Sequence, residues 1–170
     1  MFKGDLNSVQ IGGGTSVGDR VMIHCDSKGP TTIGSGVVIG AGSILHGCTI
    51  EDSCLIGEGA QVLDGAKIGR SCIISPGSLV PMGKEVPSGQ LWAGIPAKYQ
   101  REITTTEAAG IVALALANIK LSEEHALESA KSWQMIEDEE FDYLQQVGRN
   151  QFYYRRLGPE VISSCMCRYY

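Results

Sequence analysis

ILHGCTIEDSCLIGEGAQVLDGAKIGRSCIISPGSLVPMGKEV, residues 44–86, carries an aliphatic side chain at every sixth position over most of its length. The unbroken series consists of Ile50, Ile56, Val62, Ile68, Ile74, Val80 and Val86. A short, fixed period is the signature of a repeat architecture, in which each unit buries its apolar side chain only by stacking on its neighbours. The period therefore indicates the fold class before any single residue is interpreted.

The ladder extends toward the N-terminus with two irregular steps. Its upstream members are Ile11, Val17, Ile23, Ile33, Ile39 and Leu45, with ten residues between Ile23 and Ile33 and five between Leu45 and Ile50. Glycine often follows the aliphatic residue, and we expect it to permit the turn at each corner. Three hexapeptides then make one triangular coil, and coils stack at strand spacing, roughly 4.8 Å. The sequence predicts a β-solenoid over about residues 4–96.

Composition excludes several functional classes. The formal net charge is −5 and the isoelectric point is about 5.2, which argues against nucleic acid as a partner, because phosphate binding needs a clustered basic surface. Apolar runs are too short to cross a bilayer, so we expect no transmembrane segment in this chain. We also see no signal peptide, and the six cysteines follow no secreted disulfide pattern, which favours a reducing compartment.

Two histidines occupy equivalent positions on successive predicted coils. His24 follows Ile23 and His46 follows Leu45, and the rungs at 23, 33, 39 and 45 make one full turn. Their backbones should therefore lie roughly 4.8 Å apart. Tetrahedral zinc holds two nitrogens roughly 3.3 Å apart, so the stacking suits a shared metal ion, although such a histidine can equally be an ordinary interface residue. Two histidines leave a catalytic zinc one protein ligand short.

Several segments together resemble a known family. They are GDLNS (4–8), GDRVMIH (18–24), IGAGSILHGCTIEDSCLIGEGAQVLDG (39–65) and VPSGQLWAGIPAKYQRE (86–102). They are similar to the γ-class carbonic anhydrases, and most of all to the carbonic-anhydrase-like subunits of mitochondrial respiratory complex I. The resemblance implies a left-handed parallel β-helix followed by a C-terminal α-helix packed along it. It also implies a trimer with zinc between two subunits, on the matrix side of the mitochondrial inner membrane, with the membrane arm of complex I as partner.

The resemblance assigns roles by position. His24 and His46 match the two zinc ligands that one subunit donates, and the third ligand, which a neighbouring subunit supplies, corresponds to Ala41 here. Since alanine cannot bind metal, the resemblance implies an incomplete zinc site, with zinc at no more than one of the chain's two interfaces.

The residues expected around the metal also depart from the family pattern. Lys3 replaces an arginine and Gly18 replaces a glutamine, whereas Asp5 and Asp19 match and would keep interface or metal-supporting roles.

We expect three regions along the chain. Residues 1–100 form the β-helix, which reads as N-terminally short; residues 101–147 form a helical segment; and residues 148–170 form an irregular docking tail. Glu107 after three threonines marks a helix start. Helical spacing then predicts an apolar face of Ala108, Ile111, Val112, Ala115, Ile119, Ala126 and Ala130, with Glu123, Glu124, Glu128 and His125 exposed.

The remaining candidate residues carry weaker signals. Cys54 and Cys72 are three rungs apart, and we expect both, with Cys48, to fill the core rather than bind metal. Cys25 and the Cys165–Cys167 pair receive no assigned role. The tail residues Phe152, Tyr153, Tyr154, Arg155 and Arg156 are of types enriched in interface hot spots, so they predict a contact with a trimer neighbour or a larger assembly.

Three functions remain open on the sequence alone. The first is a mainly structural subunit of a γ-carbonic-anhydrase-like heterotrimer on complex I. The second is a zinc-dependent carbonic anhydrase that hydrates CO2 at a heteromeric interface, where a neighbour supplies the missing histidine. The third is a hexapeptide-repeat acyltransferase in which His46 acts as general base.

Overall fold

The computed structural model describes residues 1–26 and 29–148, and short parallel strands dominate the first hundred of them. The first sheet contains β1 (Phe2–Lys3), β4 (Met22–His24), β7 (Ile44–His46), β10 (Gln61–Val62) and β13 (Leu79–Val80). The second contains β2 (Val9–Ile11), β5 (Thr31–Ile33), β8 (Thr49–Ile50), β11 (Lys67–Ile68) and β14 (Glu85–Val86). The third contains β3 (Ser16–Val17), β6 (Val38–Ile39), β9 (Leu55–Ile56), β12 (Ile73–Ile74), β15 (Gln90–Ala93) and β16 (Lys98–Glu102).

Successive coils place one strand after another on each of three faces. Strands pair in parallel with the strand one coil away, and only β15 and β16 pair antiparallel, among the strands described. This is a solenoid of about five turns, so the predicted left-handed parallel β-helix is confirmed.

The predicted ladder forms the core. From Ile23 to Val86 each ladder residue is at most 3% exposed, because every one points into the solenoid. Ile11 is 41% exposed, since it belongs to the first coil and is covered from one side only. The compact residues four positions later, such as Val37, Ala60 and Ser78, fill the inner corners.

Glycines directly after the aliphatic residues are required by close packing rather than by the turn. At Gly12, Gly18, Gly34, Gly40, Gly57 and Gly69 an added Cβ would meet backbone or side-chain atoms of the next coil at 2.4–2.7 Å. None of these six has a positive φ, so the expectation that they supply the corner conformation is wrong. The left-handed residue is the third after the aliphatic one; it is glycine at eight corners but Arg20, Ser53 or Ser71 at three others.

Two helices follow the solenoid: α1 (Thr105–Ser129) and α2 (Trp133–Gly148). One compact unit, Met1–Glu123, holds the solenoid and most of α1, and a second unit begins at Glu124. In the part of the chain that the structure describes, neither helix is long and apolar enough to span a bilayer.

The first half of α1 packs on the solenoid, as predicted, but along a narrower stripe. Ile111 and Ala115 are buried, and Asn118 donates a hydrogen bond to Ser16 Oγ at 3.1 Å. Val112 and Ile119 are exposed, against the prediction, and so are Ala126 and Ala130. A helix lying on a flat solenoid face touches it through residues four apart, which leaves the flanking apolar positions in solvent.

The sequence did not predict α2 as a helix of its own. Its acidic run, residues 137–140, is exposed as expected. Lys131 Nζ, just before α2, contacts Glu128 at 2.8 Å and Glu139 at 2.7 Å and so joins the last turn of α1 to the second turn of α2.

Thr104 and Glu107 form a capping box at the start of α1, and it predicts that part of the stability of the fold is lost at acid pH. Thr104 N donates to Glu107 Oε2 at 2.8 Å and Glu107 N donates to Thr104 Oγ1 at 3.2 Å, while Arg101 holds the same carboxylate through both terminal nitrogens. The Arg101 hydrogen bonds, followed by those from Thr104, lower the pKa of Glu107 from 4.5 to about 2.

Because the folded-state pKa is depressed, Glu107 stabilises the fold above about pH 4.5, and this contribution is lost as the pH falls toward about 2. We expect Glu107→Gln to lower the urea midpoint at neutral pH, and the gap from the unmodified protein to close near pH 2. Glu123→Gln, on the exposed surface of α1, is the control. A gap that persists unchanged at low pH would contradict the assignment.

Candidate metal centre

Lys3, His24 and His46 lie in register on three successive coils. Lys3 in β1 pairs with His24 in β4, and His24 pairs with His46 in β7. The two imidazole rings have centroids 4.6 Å apart and planes inclined by 45°. The predicted stacking of the histidines is therefore confirmed, whereas their binding of zinc stays a prediction.

The histidines are linked by hydrogen bonds that define their tautomers. His46 Nδ1 contacts Asp64 Oδ1, and since a carboxylate only accepts, His46 carries its proton on Nδ1. His46 Nε2 is then an acceptor, and His24 Nδ1 donates to it at 2.6 Å. In this arrangement the remaining lone pair of the two rings is on His24 Nε2.

His24 Nε2 is a buried atom without a hydrogen-bond partner among the described residues. Asp5 Oδ1 lies 3.7 Å from it, and Asp5 Oδ2 in turn contacts Lys3 Nζ at 3.3 Å. Desolvation raises the pKa of Asp5, but hydrogen bonds from its own backbone N–H and from Lys3, with the Lys3 charge, lower it more, so the net pKa lies below the usual value and Asp5 is a carboxylate. Asp5 and Lys3 thus stand beside His24.

The residues present fit part of a zinc coordination shell. Imidazole nitrogens are preferred zinc donors, and His24 Nε2 is such a nitrogen, buried and without a hydrogen-bond partner among the described residues. The 2.6 Å contact between the rings is a direct hydrogen bond, so a metal ion would have to replace it. No group of three or more histidine, cysteine, aspartate or glutamate side chains within residues 1–26 and 29–148 is arranged to hold a metal ion.

Ala41 lies at a different corner from the histidine pair. It occupies the turn between β6 and β7, whereas His46 is the last residue of β7. Its neighbour on the preceding coil is Asp19, whose backbone oxygen accepts from Gly42 N at 2.7 Å. Gly18 precedes Asp19 at this corner, and a Cβ there would lie 2.7 Å from Ala41 N. The structure therefore does not bring Ala41 or Asp19 to the histidine pair of the same chain.

The described cysteines are core residues, as expected for three of them. Burial raises the pKa of the Cys48 and Cys54 thiols to about 12 and also raises that of Cys72, so none is a ready thiolate. Cys54 and Cys72 donate to backbone oxygens of Gly69 and Pro87, both at 3.0 Å. Cys25 is buried and bonds to the backbone of Asn7, so it does not extend the histidine pair.

The other candidates divide into exposed and undescribed residues. His125 is exposed on α1, as expected. Cys165, Cys167 and the docking residues Phe152, Tyr153, Tyr154, Arg155 and Arg156 lie outside the described residues.

Asp64 is the site residue that sequence reasoning missed. It lies in VLDG, 18 residues after His46, whereas the coil that contains the five-residue step from Leu45 to Ile50 has only 17 residues. The counting that paired the histidines therefore leads from His46 to Leu63, one residue before Asp64. The count alone does not say whether a corner residue turns its side chain toward the ring.

Comparison with known protein families finds the hexapeptide repeat. A family model described as bacterial transferase hexapeptide (six repeats) matches residues 47–81. Among solved structures, a hexapeptide transferase family protein from Anaplasma phagocytophilum has a TM-score of 0.69 and 37% identity, over 72% of each chain.

Curated relatives include two mitochondrial proteins of Arabidopsis thaliana. Gamma carbonic anhydrase 2 is 34% identical over 174 residues, covering 95% of this chain and 63% of that protein. Gamma carbonic anhydrase 3 is 39% identical over 150 residues, covering 85% of this chain and 57% of that protein. The chain thus spans less than two thirds of the length of these relatives.

Proposed function

The chain belongs to the hexapeptide-repeat family and is γ-carbonic-anhydrase-like within it, and from that membership we propose that it is a mainly structural subunit in a trimer of γ-carbonic-anhydrase-like chains. We place this trimer on the matrix side of the mitochondrial inner membrane, attached to the membrane arm of complex I. Its similarity to mitochondrial gamma carbonic anhydrases supports this location.

One observation carries the structural role: this chain has Ala41 where the resemblance places the histidine that each subunit donates to its neighbour. His24 and His46 converge, while Ala41 occupies the position where the family's third histidine would be, at another corner. A trimer built only of this chain would repeat the same deficiency at each interface. A heterotrimer in which a neighbour retains that histidine would complete the shell at the interface formed by His24 and His46.

Zinc is the metal that these donors would take, held by His24 and His46 together with a neighbour's imidazole. A bound zinc ion lowers the pKa of coordinated water to near 7 and so supplies hydroxide for CO2 hydration. Within the chain, Asp64 orients His46, and Asp5 and Lys3 place opposite charges beside His24.

The assembly role predicts the behaviour of the native protein. We expect the chain, resolved on blue-native gels of solubilised mitochondria, to migrate with complex I, and mass spectrometry of that band to find hexapeptide-repeat neighbours with histidine where this chain has Ala41. Migration only as a small free trimer would contradict the proposal.

The same purified assembly distinguishes the catalytic alternative. If the heteromer hydrates CO2 and loses this activity in His46→Ala but not in His125→Ala, an exposed histidine control, the site is enzymatic. An acyltransferase role is disfavoured because His24 is stacked on His46 and because the chain is similar to gamma carbonic anhydrases over most of its length. Thermal stabilisation by acetyl-CoA and not by zinc would reverse that ranking.

A further inference from the structure

We propose that Asp64 is a positioning residue, whose carboxylate fixes the tautomer of His46 and, through it, the tautomer of His24. Both rings are then prepared to offer a lone pair to a metal ion. The metal-binding part of this inference rests on the proposed function. The tautomer part concerns this chain alone and can be tested without any metal.

The first step is the contact between Asp64 and His46. Asp64 follows β10 and His46 ends β7, so the two residues lie on adjacent coils and the Asp64 carboxylate meets His46 Nδ1. Their side chains are only 28% and 31% exposed, respectively, which limits competition from water. A metal-binding histidine commonly donates its other ring N–H to such an acceptor, which raises the basicity of the ligating nitrogen.

In the second step, the tautomer of His46 determines the tautomer of His24 through the hydrogen bond between the rings. With the proton held on His46 Nδ1, the Nε2 atom can only accept, and His24 Nδ1 must donate across the 2.6 Å contact. In the neutral His24 ring, Nε2 is then deprotonated, and this is the buried atom without a hydrogen-bond partner among the described residues. In the neutral pair the Asp64 carboxylate therefore determines which of the four ring nitrogens carry protons.

The third step concerns the corner after His46, where the glycine at position 47 leaves room for the Asp64 carboxylate. Gly47 has φ +53°, and a Cβ there would lie 2.9 Å from Asp64 Oδ1 and 2.9 Å from Asp26 Cβ. This glycine lies in the five-residue step between Leu45 and Ile50, the shortest step of the ladder. The irregular rung is thus the place where Asp64 approaches His46.

Long-range 1H–15N correlation spectra of the full-length chain test the tautomer assignment. At about pH 8 we expect His46 to carry its proton on Nδ1. Asp64→Ala should move that proton predominantly to Nε2. Asp64→Asn should retain the Nδ1–H form, because the amide oxygen still accepts. Asp138→Ala, which removes an exposed carboxylate on α2, should change nothing.

Zinc titration supplies the second readout. In the purified heteromer we expect Asp64→Ala to weaken zinc binding by about 10- to 100-fold, the effect typical of losing a partner that orients a ligand. A proton on Nε2 of His46 in the unmodified protein, or an unchanged tautomer in Asp64→Ala, would overturn the inference. If the tautomer moves as expected but the unmodified heteromer binds no zinc, the positioning role stands and the proposed metal site fails.

Discussion

Gly57→Ala is expected to be strongly destabilising, although it adds a single methyl group. The new Cβ would lie 2.4 Å from Pro76 N and 2.7 Å from Pro76 Cα, on the next coil. Both are backbone atoms, so no side-chain rotation can relieve the contact, and the coils must separate. We expect a loss of about 3 kcal/mol, the upper end of the usual cost of overpacking, which corresponds to a fall in melting temperature of about 6–12 °C for a domain of this size.

Two further alanine substitutions separate the loss of folding free energy caused by steric overlap from the loss caused by a left-handed backbone conformation. Gly59 has φ +63° but nothing within 4 Å of an added Cβ, so Gly59→Ala should cost about 1–2 kcal/mol through backbone strain alone. Gly13 has neither a positive φ nor a close neighbour, so Gly13→Ala should be nearly neutral. Thermal and urea unfolding would measure the order. If Gly59→Ala proved costlier than Gly57→Ala, the packing explanation for the repeated glycine would fail.

Ala41→His is expected to convert the purified chain from one that holds little zinc to one that holds about one zinc ion per subunit of a homotrimer, since three protein ligands suffice for a site with one open position. The substitution places an imidazole at the exposed corner where the resemblance to γ-class carbonic anhydrases puts the third ligand. The proposed trimer would bring this imidazole to the His24–His46 pair of a neighbour. Metal analysis after exhaustive dialysis, with mass determination of the oligomer, gives the stoichiometry.

Matched variants define how this expectation could fail. The double variant Ala41→His, His46→Ala should lose the zinc that the single variant gains, whereas Ala41→His, His125→Ala should keep it, because His125 is exposed on α1. A trimer of Ala41→His without bound zinc would contradict the placement of Ala41. Stoichiometric zinc in the unmodified homotrimer would contradict the incomplete site itself.

The hexapeptide period predicted which residues face the core and which lie in register, but not how closely neighbouring coils pack. Counting hexapeptides located the inward residues from Ile23 to Val86 and placed His24 against His46, since a fixed number of rungs per coil makes register a matter of arithmetic. The same pattern led to a wrong expectation for glycines such as Gly57, which were expected to permit the turn at each corner. The sequence shows where they recur, but not that the next coil passes 2.4 Å away.

The sequence predicted where α1 begins, but not which of its apolar residues are buried. Thr104 and Glu107 marked the start of α1 because a capping box is a local pattern. Val112 was expected in the core and is exposed, since the number of helix faces that are covered depends on the surface opposite and not on helical spacing. The helix α2 lies within the helical segment predicted over residues 101–147, but the break between Ser129 and Trp133 was not predicted.

By itself the sequence determined the solenoid, its register and the stacking of two histidines, because each follows from a period that the chain repeats against itself. Only the tertiary structure decided that Asp64 orients His46 and that His24 Nε2 is buried without a hydrogen-bond partner among the described residues. The physical reason is that the period fixes which residues lie on neighbouring coils. The direction of a side chain at a corner depends instead on local backbone angles and on the space that Gly47 leaves.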